Sequence, residues 1–338
     1  MKRTEEQRMK DNILEIQNLK VIFPTEMGIV RAVEGISLEI GRGKCVALVG
    51  ESGCGKSVTS LAAMKLLNPE AAAVRVEKLE LDGEDITQLS DKEMQELRGK
   101  KISMIFQDAL SALNPVMTVG KQLDEIFLKH MKMSKKEAKE HSVEALRMVG
   151  VPDPERRYKA FPHELSGGMR QRVLIAMAFA CSPDLIIADE PTTALDVTIQ
   201  AQVLKVLSDM QKQSGTGLLL ITHDLSVVVH MADEINVMYC GKIVEKGTTK
   251  ELFLNPLHPY TKGLIGSVAK MEDEKGKFVQ IPDSLPSPLH KPTGCYFHPR
   301  CPYQKEICRQ KMPPIQTLEY GRQVRCWMCR KEGEGYES

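Results

Sequence analysis

Cys45-Val46-Ala47-Leu48-Val49 runs directly into Gly50-Glu51-Ser52-Gly53-Cys54-Gly55-Lys56-Ser57, and this stretch decides how the chain is read. An unbroken apolar run this short reads as a strand buried on both faces, and the glycines after it break it into a tight turn. From 56 to 67 the pattern is helical, so the segment reads strand, glycine-rich turn, helix. Residues 50–57 then match G-x-x-x-x-G-K-[ST] in the context that gives this motif its meaning. Glycines let backbone N–H groups close around a phosphate, and a helix N-terminus adds partial positive charge. On this reading Gly50, Ser52, Gly53, Cys54, Gly55 and Val58 belong to a phosphate cradle, Lys56 reaches the β- and γ-phosphates, and Ser57 ligates Mg²⁺.

Working outward, residues 14–23 and 33–40 alternate as antiparallel-type strands, and 74–81 reads as one further strand ended by Asp82-Gly83. Ser90 and Glu93 have capping-box spacing and predict a short helix. After a strand at 102–106 the text from 109 to 180 becomes helical, Met-rich and charged, broken by Pro152, Pro154 and Pro162: a helical insertion in an α/β core. Strands resume at 185–188 and 217–222, separated by a helix over 196–213, and 234–239 with 242–246 forms a hairpin around Cys240-Gly241. Proline-rich 271–292 reads as a linker. The expected division is 12–108 (first half of the core, with an antiparallel β subdomain), 109–180 (helical), 181–270 (second half), 271–292 (linker) and 293–338 (Cys-rich).

The 338 residues carry 46 Lys+Arg against 45 Asp+Glu and are 42% hydrophobic, a globular composition with length for two or three domains. No apolar run approaches the roughly 18–20 residues a bilayer span needs, and residues 1–11 are too charged for a secretory leader. A cytosolic protein, or one on the cytosolic face of a membrane, is expected. The net charge of +1 excludes a whole-molecule field for nucleic acid or lipid, so such contact needs a local patch. Residues 290–330 supply one, with eight Lys+Arg against two acids. Cys295, Cys301, Cys308, Cys326 and Cys329 crowd the same region, which in a reducing compartment suggests a metal before disulfides.

Two more motifs carry chemistry. Leu185-Ile186-Ile187-Ala188-Asp189-Glu190 ends a buried strand on two acids: Asp189 is placed to hold the Mg²⁺ water shell, and Glu190 to act as general base for an attacking water. Leu165-Ser166-Gly167-Gly168-Met169-Arg170 opens a long apolar helix, a second anion-receptive helix N-terminus. The three motifs in this order resemble the ATP-binding subunits of ABC transporters over residues 14–269.

That resemblance implies an ABC-type P-loop ATPase: a RecA-like α/β core with an antiparallel β subdomain and a helical subdomain. Residues 50–57 correspond to Walker A, 165–169 to the signature and 185–190 to Walker B. Gln107 fits the Q-loop, which would place it on Mg²⁺ and couple that site to the helical insertion and a membrane partner, Ala194-Leu195-Asp196 fits the D-loop, and His223 the switch histidine that holds the γ-phosphate and the attacking water. Met169 replaces the usual signature glutamine, while Ser166, Gly167 and Gly168 are intact. Phe23 is the positional match for an adenine-stacking residue, with a residue near Val30 as alternative and core packing as the plain reading. The family works as a head-to-tail dimer in which each ATP lies between one chain's P-loop and the other's signature.

Asn255-Pro256-Leu257-His258-Pro259-Tyr260, the Q-loop stretch from Gln107 to Pro115 and the Cys-rich end are together similar to the dipeptide/oligopeptide and nickel importer branch. The His-Pro-Tyr stretch by itself reads as a surface turn and a short helix. In that branch four cysteines hold a [4Fe-4S] cluster; Cys295, Cys301, Cys308 and Cys326, spaced C-x5-C-x6-C-x17-C, would be its ligands, with Zn²⁺ as competitor and Cys329 as a spare. The implied protein is a peripheral ATPase on the cytoplasmic side of the inner membrane, powering peptide uptake. It would work with two permease subunits, a second homologous ATPase or a second copy of itself, and indirectly an extracytoplasmic solute-binding protein. The alternatives are nickel or another small solute, or a soluble ATPase acting on nucleic acid or ribosomes through the basic tail. The single P-loop and signature speak against nucleic acid.

Overall fold

The computed structural model describes residues 11–193, 195–269 and 285–329. The charged N-terminal stretch up to residue 10, Ala194 of the expected D-loop, residues 271–284 of the expected linker and Arg330 of the basic patch lie outside them.

The chain opens with paired strands β1 (Asn12–Thr25) and β2 (Gly28–Gly41), followed by β3 (Cys45–Val49), buried at every residue as its apolar run requires. Helix α1 (Lys56–Ala63) ends before residue 67. Lys65 turns left-handed (φ 51°), its N–H bonding Ala62 O and that of Leu66 bonding Leu61 O, the paired bonds of a Schellman stop. The run expected as one strand at 74–81 is two, β4 (Ala73–Arg75) and β5 (Lys78–Leu81). The break falls where the Glu77 N–H goes to Gln17 O and its carboxylate accepts from Asn18 Nδ2.

After β6 (Glu84–Asp85) the Ser90 capping box opens α2 (Asp91–Leu97) as its spacing predicts, and β7 (Ile102–Ile105) follows. The helical insertion comprises α3 (Ala109–Ala112), α4 (Val119–His130), α5 (Lys135–Met148), α6 (Pro154–Arg157) and α7 (Gly167–Phe179). The core resumes with β8 (Leu185–Asp189), α8 (Val197–Ser214), β9 (Gly217–Thr222), α9 (Leu225–Met231), β10 (Glu234–Tyr239) and β11 (Lys242–Thr248). Asp196 caps α8 through Ile199 N–H, and Cys240 and Gly241, both at positive φ, form the tight turn between β10 and β11. Helices α10 (Thr249–Leu254), α11 (Pro259–Ala269) and α12 (Glu306–Gln310) and strands β12 (Gln316–Thr317) and β13 (Gln323–Val324) complete the elements named here.

The described residues form two compact units, one within 11–15, 39–45 and 79–221, the other within 16–38, 46–78 and 222–329. In the first, β7, β8 and β9 are parallel in the order β9-β8-β7, with Ile102 opposite Leu185 and Leu185 opposite Gly217. Every residue of β8 and β9 is buried, which a parallel sheet covered on both faces demands. In the second unit the order is β12-β13-β11-β10-β3, with β3 parallel to β10 and the rest antiparallel. The Cys-rich segment thus extends the sheet that carries the glycine-rich loop: Val324 pairs with Glu245 and Gln323 with Lys246.

Candidate functional site

The glycine-rich loop sits between β3 and α1 as the sequence requires, and its glycines are sterically specified. A Cβ on Gly50 would lie 2.2 Å from Met238 O, and one on Gly55 2.5 Å from Ala32 O, with both residues at positive φ. Gly53 is also left-handed (φ 81°) but faces open space, so backbone conformation alone selects glycine there. Gly55 is the N-cap of α1, so the first free N–H groups of that helix face the loop. Lys56 is buried, and its Nζ donates to Gly50 O (2.8 Å) and Glu51 O (3.1 Å). Ser52 and Gly53 are exposed, whereas Ser57 and Val58 are half-buried. Cys54 is buried, and burial pushes its thiol up to about 11, so it is a neutral packing group beneath the loop.

Glu51 is held from several sides. Its N–H donates to Tyr260 Oη (2.9 Å), its carbonyl accepts from Cys54 N–H and Lys56 Nζ, and its carboxylate receives Arg300 Nη1 at 3.1 Å on both oxygens. Tyr260 is fully buried, edge-on to Tyr239 and tilted against Phe297. His258 is also buried and accepts the Tyr260 N–H on Nδ1 (3.1 Å); burial pulls its imidazole down to about 3. Of the expected surface turn, Asn255 is exposed, but residues 258–260 are buried behind the phosphate loop at the start of α11. Composition gave no sign of this, because the residues that bury it lie far away in sequence.

Three of the tail's basic residues, Lys291, Arg300 and Arg322, face inward in the same way, whereas Lys305, Arg309 and Lys311 are exposed. Lys291 Nζ donates to Glu34 Oε1 (2.6 Å), Arg31 O and Cys240 O, and Tyr296 Oη donates to the same carboxylate. Arg322 donates to Glu245 Oε1 (2.7 Å), a fully buried carboxylate that also accepts the Leu257 and His258 N–H groups. Three of the tail's cations thus sit on acids of the core.

In the other unit, Gln107 and Glu190 come together. Gln107 Nε2 donates to Glu190 Oε2 at 2.9 Å, and Thr193 Oγ1 donates to the same oxygen. Glu190 sits at φ 46° with its N–H on Ile221 O, so the strand end is bent where the carboxylate leaves it. Asp189, one residue earlier, is buried. A carboxylate beside a hydroxyl and a carboxamide suits a base that orients water.

Ser166 caps α7, accepting the Met169 N–H at 3.3 Å, and Ser166 and Gly167 are exposed. A Cβ on Gly168 would come within 2.4 Å of Ile199 Cγ2 in α8. Here the glycine is a packing requirement, a role that the motif reading did not contain. His223 is exposed between β9 and α9, and Phe23 is half-buried in β1.

Cys295, Cys301, Cys308 and Cys326 line one small pocket, with His258 and Phe297 among its other walls. Burial foremost, and then the neighbouring thiols, push Cys295 up to about 12. Cys329 hydrogen-bonds Cys326, which holds the Cys326 thiol below its usual range. Four sulfurs around one pocket have the donor chemistry of an iron–sulfur or zinc site. Among the described residues, however, no group of three or more His, Cys, Asp or Glu is placed to hold a metal ion, so the expected [4Fe-4S] cluster is not shown. For Mg²⁺, the oxygen donors of Ser57, Gln107 and Asp189 are of the right type.

Comparison with characterised proteins agrees with this geometry. Residues 33–193 match the ABC transporter family, and 244–308 match the oligopeptide/dipeptide transporter C-terminal region. The chain is 48% identical to the dipeptide transport ATP-binding protein DppD of Bacillus subtilis, covering 96% of this chain and 97% of that one. It is 47% identical to the oligopeptide transport ATP-binding protein AppD of the same organism, covering 95% and 98%. Among solved structures, a dimeric ATP-binding cassette in a post-hydrolysis state with ADP and Pi matches with a TM-score of 0.61 at 25% identity, covering 70% of this chain and 98% of that one. The cbiO1 protein of Clostridium perfringens, part of an ABC transporter complex, matches with a TM-score of 0.60 at 29% identity, covering 72% and 92%. The glycine-rich loop, the capped signature turn and the Gln107–Glu190 pair are thus parts of an ABC ATPase fold, and the chain belongs to the dipeptide/oligopeptide family of ABC transporter ATP-binding subunits, ATP-hydrolysing partners of membrane permeases.

Proposed function

We propose that this chain hydrolyses ATP to power uptake of di- or oligopeptides through two permease subunits, from the cytoplasmic side of the membrane. The observation that carries this reading is that the likeness to peptide-transport ATPases runs through both the cassette and the C-terminal region, across 96% of the chain. No described helix is long and apolar enough to cross a membrane, which suits a subunit seated on permeases.

The backbone N–H groups of residues 50–58 and Lys56 bind the β- and γ-phosphates. Ser57, Gln107 and Asp189 would hold Mg²⁺, which when bound would offset the phosphate charge. Glu190, oriented by Gln107 and Thr193, takes the proton from the attacking water, and His223 steadies the γ-phosphate. Phe23 stacks on the adenine. Ser166, Gly167 and Gly168 serve the ATP held by a second ATPase subunit, either a homologue or another copy of this chain, and a solute-binding protein delivers the peptide from outside.

Cys295, Cys301, Cys308 and Cys326 would hold a [4Fe-4S] cluster, a reading supported by their lining one pocket. Iron and sulfide near four each per chain in anaerobically purified protein, lost in Cys301→Ser, is the expected result; zinc alone rejects the cluster. The engagement of Lys291, Arg300 and Arg322 with core acids weighs against the tail as a nucleic-acid surface.

Deleting the gene and measuring uptake of labelled di- and oligopeptides and of nickel tests the substrate. Loss of peptide uptake, restored by the parent chain and not by Lys56→Ala, is expected. Intact peptide uptake with lost nickel uptake would transfer the chain to the nickel reading.

A further inference from the structure

The tail reaches the phosphate loop through one side chain. Arg300 lies between His298-Pro299 and Cys301 in the Cys-rich segment, and its side chain is 4% exposed. Its Nη1 donates to both carboxylate oxygens of Glu51, and also to Tyr239 Oη at 3.4 Å. Phe297, three residues before Arg300, packs edge-on against Tyr239, which fixes the turn that presents the guanidinium.

Glu51 is an awkward residue for a loop that receives phosphates. It stands immediately after Gly50, and an unpaired carboxylate there repels the anion that the loop's N–H groups are arranged to attract. Its carbonyl also accepts from the Lys56 ammonium, as does that of Gly50. Movement of Glu51 therefore disturbs both the charge in the loop and the anchor of the lysine.

We infer that Arg300 is a positioning residue for ATP binding: from the C-terminal segment it neutralises and holds Glu51, which keeps the phosphate loop receptive and Lys56 in place. The inference rests on the reading of residues 50–58 as the ATP site. It gives the tail a role in the ATPase itself, whether or not its cysteines carry a metal.

The test compares the parent, Lys56→Ala, Arg300→Gln and the double variant Arg300→Gln/Glu51→Gln, all as full chains, by ATP affinity, kcat and KM, with thermal melting to confirm folding. Arg300→Gln should weaken ATP binding about tenfold, seen as a raised KM with a smaller change in kcat. The double variant, which no longer carries the unpaired carboxylate, should recover to within about threefold of the parent. A merely structural role lowers the melting temperature of both variants and gives no such recovery. Parental affinity in Arg300→Gln, or a double variant as weak as Arg300→Gln, overturns the inference. If Arg300→Gln does not fold, Arg300→Lys replaces it: a loss of about threefold, reversed by Glu51→Gln, is expected, and parental affinity overturns the inference. If Lys56→Ala binds ATP like the parent, it is the phosphate-loop reading that fails; if only the Arg300 variants behave like the parent, that reading stands without this inference.

Discussion

Two glycine-rich turns in this chain open helices, and they are built in opposite ways. The phosphate loop is fastened from behind: Gly50 and Gly55 touch backbone, Lys56 is buried, and Glu51 is tied to Tyr260 and Arg300. The signature turn is open, with Ser166 and Gly167 exposed and its tightest packing constraint at the half-buried Gly168, against Ile199. The same physical device, a helix N-terminus that attracts anions, is thus completed within the chain in one case and left facing outward in the other. The difference fits a subunit that holds its own nucleotide with the first turn and serves another subunit's nucleotide with the second.

The predictions probe that contrast. The largest effect belongs to the chemistry that both turns serve: Glu190→Gln should lower ATP turnover by roughly 1,000-fold while ATP still binds, as measured by steady-state hydrolysis and equilibrium binding. Turnover at the parental rate would remove Glu190 as the base. Next, Ser166→Arg should lower turnover about 100-fold by obstructing the outward-facing turn, and it should leave its own chain's phosphate loop untouched.

Acid should then separate the two sites. His258 lies behind the phosphate loop, and burial lowers its pKa from 6.5 to about 3. Below about pH 6.5 the unfolded chain binds this proton and the folded chain does not, so stability falls as the pH drops toward 3. The slope is at most about 1.4 kcal/mol per pH unit, or roughly 2 kcal/mol by pH 5. Hydrogen exchange at pH 5 should open residues 50–57 and 255–262 before residues 165–175, and His258→Asn, which keeps an acceptor for the Tyr260 N–H, should remove that order. The smallest effect is steric: Gly168→Ala should cost about 1–2 kcal/mol in a denaturant melt, and adding Ile199→Ala should return part of it.

How much of this was legible from sequence depended on distance along the chain. The strand-turn-helix at 45–63, the Ser90 capping box, the Asp196 cap and the Cys240-Gly241 turn each lie within a few neighbouring residues, and the structure contains all of them. Motif order supplied Gln107 and Glu190 separately; their hydrogen bond spans 83 positions and only the fold reveals it. The burial of His258 and Tyr260 and the inward turn of the basic tail were illegible for the same reason. Arg300 meets Glu51 across 249 positions and Lys291 meets Glu34 across 257, so part of a run of positive charge that looked like an exposed patch became internal ion pairs, while Lys305, Arg309 and Lys311 stay exposed. The strand expected at 74–81 failed because alternation cannot show that Glu77 is drawn aside by Gln17 and Asn18.

The contrast between the two turns is tested most directly by measuring ATP affinity calorimetrically for the parent, Lys56→Ala and Ser166→Arg, at a concentration where the chain is monomeric. The account predicts that Ser166→Arg binds ATP as the parent does, although it fails to turn it over, and that Lys56→Ala loses binding. Equal loss of affinity in both variants would show that the signature turn contributes to its own chain's nucleotide site, and would contradict the division of labour between the two loops.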